Sequence, residues 1–191
     1  MTLFAKINLG KTALSVFIGL AIAIFGTFSS SAYAGTAAEI NTNVNKTLER
    51  FYKEVQGAKD LTATAKGLLV MPNITKAGFV VAGTYGEGAL RIGQATQGYY
   101  NLVSGSLGFT IGVEQMDIII AFLTEDALNE FKNVDGWEIG ATGNVVIVDV
   151  GGGKRLDTTA SKDAIIAFVF DSKGVMFDVS LKGAKFTKIE K

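Results

Sequence analysis

The chain has 191 residues, with 18 Lys and Arg against 18 Asp and Glu, 23 Gly, one Pro, and neither Cys nor His. That excludes disulfides, thiol nucleophiles, Ser-His-Asp and Cys-His catalysis and ordinary zinc sites, and leaves any catalysis to carboxylates, Lys, Tyr or Ser/Thr. A hydrophobic fraction of 48% with 19% charged residues marks one folded domain, and zero net charge argues against nucleic acid as a partner.

Residues 1–34 read apart from the fold. Lys6 and Lys11 make a basic start, an apolar run follows from Ala13 to Phe28, and Ser29, Ser30 and Ser31 lead to Ala32-Tyr33-Ala34. Small residues at the first and third places before a cut are what signal peptidase accepts, so cleavage between Ala34 and Gly35 is expected. The competing reading is an uncleaved anchor. It needs ~20 apolar residues, and this run is shorter and carries Gly19 and Gly26. Export to the periplasm or outer envelope of a bacterium follows. Residues 35–191 are then a single domain, with a helical lead-in over 37–66 and a β-rich body over 67–191.

From Ala37 to Val55 the apolar residues Ile40, Val44, Leu48, Phe51 and Val55 form one stripe at the helical period, with Asn41, Asn45, Glu49, Arg50 and Lys53 elsewhere. Gly57 is a suitable stop. A short helix is expected over Asp60 to Lys66. From Gly67 the character is β. Leu68 to Met71 is an apolar run stopped by Pro72, and Ala77 to Ile92 alternates weakly around Gly83, Gly86 and Gly88. Tyr99 to Val113 alternates well. Val103, Gly105, Leu107, Phe109, Ile111 and Val113 share one face, and Ser104, Ser106, Gly108, Thr110 and Gly112 the other. The second face is nearly free of bulk, so a strand, a helix or an apolar ligand can approach it closely.

Met116 to Leu123 reads as a central strand buried on both sides. Thr124 caps a helix with Glu125 and Asp126 in its first turn, where the dipole favours acids. Further strands are expected at Glu138–Ile139, Asn144–Val150, Ala164–Phe170, Val175–Leu181 and Phe186–Ile189, with Asp171-Ser172-Lys173-Gly174 as a hairpin turn. Strands dominate without alternating with helices. The expected fold is α+β: a mainly antiparallel twisted sheet closing towards a barrel or sandwich, with an N-terminal amphipathic helix and one or two short helices packed on it.

Chemistry-bearing patterns are sparse. Gly86-Glu87-Gly88 with Gly93, and Gly151-Gly152-Gly153-Lys154-Arg155, lack the strand-to-helix context and spacing of nucleotide loops. The carboxylates are scattered, and no calcium-loop spacing occurs. Asp117 is an acid inside an apolar strand. The simpler account is a strand-end acid facing water or a Lys; the sharper one is a buried acid with a raised pKa. Lys66 and Lys76 bracket the Leu68–Met71 run, and cations beside exposed apolar side chains suit an anionic membrane surface.

Several segments in order resemble the SYLF domain family: Ala65-Lys66-Gly67-Leu68-Leu69-Val70-Met71-Pro72, Lys76-Ala77-Gly78-Phe79, Tyr85-Gly86-Glu87-Gly88-Ala89-Leu90, Gly98-Tyr99-Tyr100, Ser104-Gly105-Ser106-Leu107-Gly108-Phe109, Thr124-Glu125-Asp126-Ala127-Leu128, Asp135-Gly136-Trp137-Glu138 and Gly174-Val175-Met176-Phe177. The resemblance runs from about Leu48 onward. It departs at Thr110, where many members carry Gln. It implies a lipid-binding domain without catalytic residues or cofactors. Eukaryotic members bind phosphoinositides and fungal ones also bind actin, which an envelope protein does not meet. The expectation is a non-enzymatic protein that contacts phospholipid or a membrane surface, with Lys66, Lys76, Phe79, Arg91, Gly108 and Thr110 as candidate lipid contacts. The alternative is a structural or interaction protein that binds a protein partner in the envelope.

Overall fold

A computed structural model describes residues 34–150, 163–174 and 181–191, with the backbone alone for 79–80 and 106–111. The export segment up to Tyr33, the Gly151–Arg155 run and most of the strand expected at Val175–Leu181 lie outside the described residues. Gly35–Lys191 make one compact unit.

Helix α1 (Ala37–Glu54) begins at a capping box. The Thr36 hydroxyl accepts the Glu39 N–H at 3.3 Å, and the Glu39 carboxylate accepts the Thr36 N–H at 2.8 Å. Its buried face is Ile40, Val44, Thr47 and Phe51, so Thr47 takes a place in the stripe where Leu48 was expected and Leu48 is only partly buried. Val55 closes the helix. Gly57 does not end it but starts the next, taking φ 86° as the N-cap of α2 (Ala58–Thr64).

The sheet is built on one long ribbon. Strands β1 (Gly67–Ile92) and β2 (Ala95–Phe122) pair antiparallel from Gly67↔Phe122 to Ile92↔Ala95. Two corrections follow. Pro72 does not stop the strand, because a register shift between Met71 and Ile74 sets Pro72 and Asn73 in a bulge, where a residue without an N–H is tolerated and Asn73 turns to φ 51°. The segments Tyr99–Val113 and Met116–Leu123 are one strand, not two.

The ribbon folds back so that its two arms touch. A Cβ on Gly86 would lie 2.1 Å from Ile74 Cδ1, and one on Gly88 2.1 Å from the Val70 carbonyl oxygen. The Gly86-Glu87-Gly88 motif is therefore a close-approach device inside a strand.

The other edge of β2 is shared. Tyr99–Val103 pairs with β6 (Lys185–Ile189), and Glu114–Phe122 with β5 (Ile165–Gly174). Strand β3 (Trp137–Glu138) pairs with β6, and β4 (Val146–Asp149) lies parallel to β5. The sheet order is β3-β6-β2-β5-β4, with β1 on β2. The fold is α+β and mostly antiparallel as expected, but the β4–β5 pair makes it mixed. It curls into a half-barrel whose ends, β3 and β4, do not meet among the described residues. The Asp171–Gly174 turn is also corrected. These residues stay in β5, with Lys173 and Gly174 opposite Gln115 and Glu114, and the positive φ of Asp171 (52°) marks a bulge.

Two cores flank the sheet. On the inner face, even-numbered β2 residues such as Leu102, Ile118 and Phe122 pack with Leu69, Trp137, Phe186 and Phe131 of α3 (Glu125–Asn133). Thr124 caps α3, accepting the Ala127 N–H at 3.2 Å. On the outer face, Ile40, Val44 and Phe51 of α1 pack on Val70, Ile119, Ala121 and Phe168.

The arm contact predicts an asymmetry between glycines. Gly88→Ala pushes a methyl group onto backbone and should lower Tm by roughly 2–12 °C, from an overpacking cost of ~1–3 kcal/mol. Gly105→Ala meets nothing within 4 Å and should leave Tm unchanged or slightly raised. Thermal melts of the two variants check this; equal losses would contradict the folded ribbon.

Candidate functional site

Asp117 is 2% exposed, near the middle of the sheet. Its Oδ1 accepts the Asn73 N–H from the β1 bulge at 2.8 Å. Its Oδ2 accepts the Thr47 hydroxyl at 3.1 Å and the Arg50 Nη2, both from α1. Arg50 Nε also lies 3.5 Å from Asp171 Oδ2, which holds Lys173 Nζ at 3.0 Å. The Arg50 pKa is raised, chiefly by its hydrogen bond to Asp117 and against the effect of burial. The simpler sequence account of Asp117 is thereby overturned: this acid faces neither water nor a Lys but is buried against an arginine. With donors on both oxygens it works as a cross-link of α1, β1 and β2.

A second polar cluster ties the other half of α1 to the Ile92–Ala95 end of the ribbon. The Arg91 guanidinium donates to the Gln94 carbonyl at 2.8 Å, Asn41 Oδ1 at 3.2 Å and Asn45 Oδ1 at 2.9 Å. The Asn41 amide donates to the Tyr99 hydroxyl at 2.7 Å.

Pinned in this way, α1 packs mainly on β1, in one core with Leu68, Val70 and Ala89 as well as Tyr99, Ile119 and Ala121 of β2, and among the described residues it leaves the same face bare towards the bend. The register sets Tyr85 opposite Val103, Gly83 opposite Gly105 and Ala77 opposite Val113. Val81 is 58% exposed, Val113 56%, Val103 50% and Tyr85 39%. A Cβ at Gly83 or Gly105 would meet nothing within 4 Å. These residues put exposed apolar side chains on one face of the ribbon on either side of residues 106–111, an apolar strip of the kind that marks an interaction surface. Lys185 on β6 stands opposite Val103, and Lys173 on β5 opposite Gln115, both exposed. Two cations therefore flank the strip.

The alternation of Tyr99–Val113 is real, but its bulkier face is the outward one wherever side chains are described. Val103 and Val113 face out, whereas Ser104 is half-buried. The cause lies beyond the segment. Tyr100, Leu102, Met116 and Ile118 fill the inner core, and residues in step with them face inward.

The sequence-derived candidates are not gathered at this strip. Lys66 is exposed just ahead of β1, and Arg91 is at the same end of the folded ribbon, where a Cβ on Gly67 would lie 3.5 Å from the Arg91 carbonyl. Lys76 is 6% exposed, opposite the equally buried Glu114, so its charge is not offered to a surface. Phe79 pairs with Ile111 at the bend; Gly108 and Thr110 fall where pairing jumps from Phe79↔Ile111 to Val81↔Leu107, and their side chains lie outside the description. Lys173 and Lys185 were missed, because only strand pairing brings them beside the strip.

At the edge of the strip, the Tyr85 hydroxyl donates to Glu87 Oε1 at 2.8 Å. Its pKa is pushed up to about 12, first by partial burial and then by the Glu87 carboxylate.

The geometry defines an α+β domain with a helix pinned across a folded ribbon and an apolar face at the bend that is uncovered among the described residues. Residues 103–191 match the family model Ysc84, described as Las17-binding protein actin regulator. This match, which takes in the C-terminal part of the ribbon and all that follows, supports the SYLF domain family. The segments from Ala65 to Tyr100 that carried the resemblance precede the matched residues. No curated protein matches the chain significantly.

Two predictions follow from the polar contacts. Arg50→Ala strands a buried carboxylate and should cost about 3 kcal/mol, the lower end for a broken buried pair because Arg50 itself is 35% exposed. Asp117→Asn keeps part of the hydrogen bonding and should cost less, ~1–3 kcal/mol. Urea unfolding checks the order; a larger loss for Asp117→Asn would contradict it. The raised Tyr85 pKa means that the folded chain holds this proton more firmly than the unfolded one. Its stabilisation is full below the ordinary value of 10.0 and is lost as pH rises towards about 12. Over that window wild type should lose stability more steeply than Tyr85→Phe in pH-dependent melts.

Proposed function

We propose that the protein is a non-enzymatic phospholipid-binding protein of a bacterial cell envelope, and that it docks on lipid through the bare face at the ribbon bend. One observation carries the reading. Val81, Val103 and Val113 are each at least half exposed on a single sheet face, with Gly83 and Gly105 leaving open space between them. An acyl layer or its interfacial region would remove these side chains from water, worth about 1.5 kcal/mol or more for each fully buried Val. Lys173 and Lys185 would meet anionic headgroups at the rim, at ~1 kcal/mol each. The association of the SYLF family with lipid and actin supports lipid, and the export pattern ending at Ala34 supports the envelope. The absence of His and Cys from the sequence supports a binding role over catalysis.

A second reading is a protein partner. Among the described residues, strand β4 is at the end of the sheet order with Val146 and Ile147 each 37% exposed, an edge to which another strand could add.

Co-sedimentation with anionic and neutral liposomes separates the two. Wild type should bind anionic liposomes more tightly. Val103→Glu/Val113→Glu changes only exposed side chains, so it should fold normally and bind at least tenfold more weakly. Lys173→Ala/Lys185→Ala should lose roughly tenfold to thirtyfold at low salt, and the loss should shrink as salt rises. Wild type that ignores both liposome types overturns the lipid reading in favour of a protein partner.

A further inference from the structure

The backbone N–H of Gly35 donates to Glu87 Oε2 at 3.0 Å. Glu87 is unusually well surrounded for a carboxylate on a strand. The Tyr85 hydroxyl donates to Oε1 at 2.8 Å, and Lys191 Nζ lies 3.1 Å from Oε1 and 3.0 Å from Oε2. Gly35 is also the first residue of the compact unit and stands immediately before Thr36, the N-cap of α1.

We propose that Glu87 is the receiving carboxylate for the α-ammonium created when the chain is cut between Ala34 and Gly35, so that processing completes an ion pair the uncut chain lacks. The inference rests on the export reading and is independent of lipid binding. Hydrolysis breaks the Ala34–Gly35 amide bond. The hydroxyl of water goes to the Ala34 carbonyl carbon and its proton to the Gly35 nitrogen. The new carboxylic acid then gives up its proton to the amine, leaving a carboxylate and an ammonium. The nitrogen that donated one neutral hydrogen bond becomes a cation with three donors, already within hydrogen-bond reach of Glu87.

The location makes a counter-ion necessary. The start of a helix carries partial positive charge, so an ammonium one residue before the N-cap is disfavoured unless acids neutralise it. Two acids are present: Glu87, and Glu39 held on the Thr36 N–H at 2.8 Å. Of the other charged and titratable groups here, Lys191 competes for Glu87, and Tyr85 supports the carboxylate as a donor.

An α-amino group ordinarily titrates near 7.7–8.0. Paired with Glu87 its value rises, so the stabilisation is full below the ordinary value and is lost as pH rises through the raised one. The test starts with N-terminal sequencing of the exported protein, which must begin at Gly35; any other start overturns the proposal. The pH midpoint of N-terminal acylation by an N-hydroxysuccinimide ester, read by mass spectrometry, then reports the ammonium. In the native protein the midpoint should be about one unit above that in urea, and Glu87→Gln should bring it back. A native midpoint equal to the urea value, or one unchanged in folded Glu87→Gln, overturns the proposal. The comparison in urea stands on wild type alone and holds even if the variant does not fold.

Discussion

A carboxylate with 2% exposure must be neutralised, and Asp117 is neutralised by an arginine 67 residues earlier in the chain. Much of the architecture depends on that pairing. Asp117 takes Thr47 and Arg50 from α1 and the Asn73 N–H from β1, so one side chain fixes both the angle of the helix and the bulge of the strand. The bulge in turn lets Pro72 remain inside a strand that continues to Ile92. Without a carboxylate at this point the turned-in Asn73 N–H would lose its partner.

Fixing α1 also decides what stays uncovered. The helix is held by Asn41 and Asn45 near one end of the ribbon and by Thr47 and Arg50 near the sheet centre. It packs mainly on β1 around Leu68, Val70 and Ala89, with Tyr99, Ile119 and Ala121 of β2 in the same core, and the same face at the bend has no cover from it. A face left bare by a pinned helix is pre-organised: contact with another surface requires no rearrangement of the core, and so less of the contact energy is lost to ordering. The tight arm contact at Gly86 and Gly88 holds the bend in shape from the opposite side.

What was legible in the sequence was local. The period of Ile40, Val44, Phe51 and Val55 located α1, Thr124 located α3, and the unbroken apolar run around Ile118–Phe122 located the strand buried on both faces. Rules of the same local kind failed where a distant partner supplied the missing term. Pro72 reads as a stop, and Asp117 makes the bulge that accommodates it. Asp171–Gly174 reads as a turn, but pairing with Gln115 and Glu114 keeps it in a strand. The inward and outward faces of Tyr99–Val113 depend on which neighbours reach the core, and Lys173 and Lys185 come to the strip only through β5 and β6. Alternation marks two faces without saying which is wet.

The proposed docking of lipid at the bend is tested most directly by one probe placed there and another placed elsewhere. The chain has no Cys, so a single introduced thiol reports one position. A polarity-sensitive fluorophore on Val103→Cys should shift to the blue when anionic vesicles are added, while the same probe on Asn129→Cys, exposed on α3, should not. Equal shifts at both positions, or a shift at Asn129→Cys alone, would contradict it.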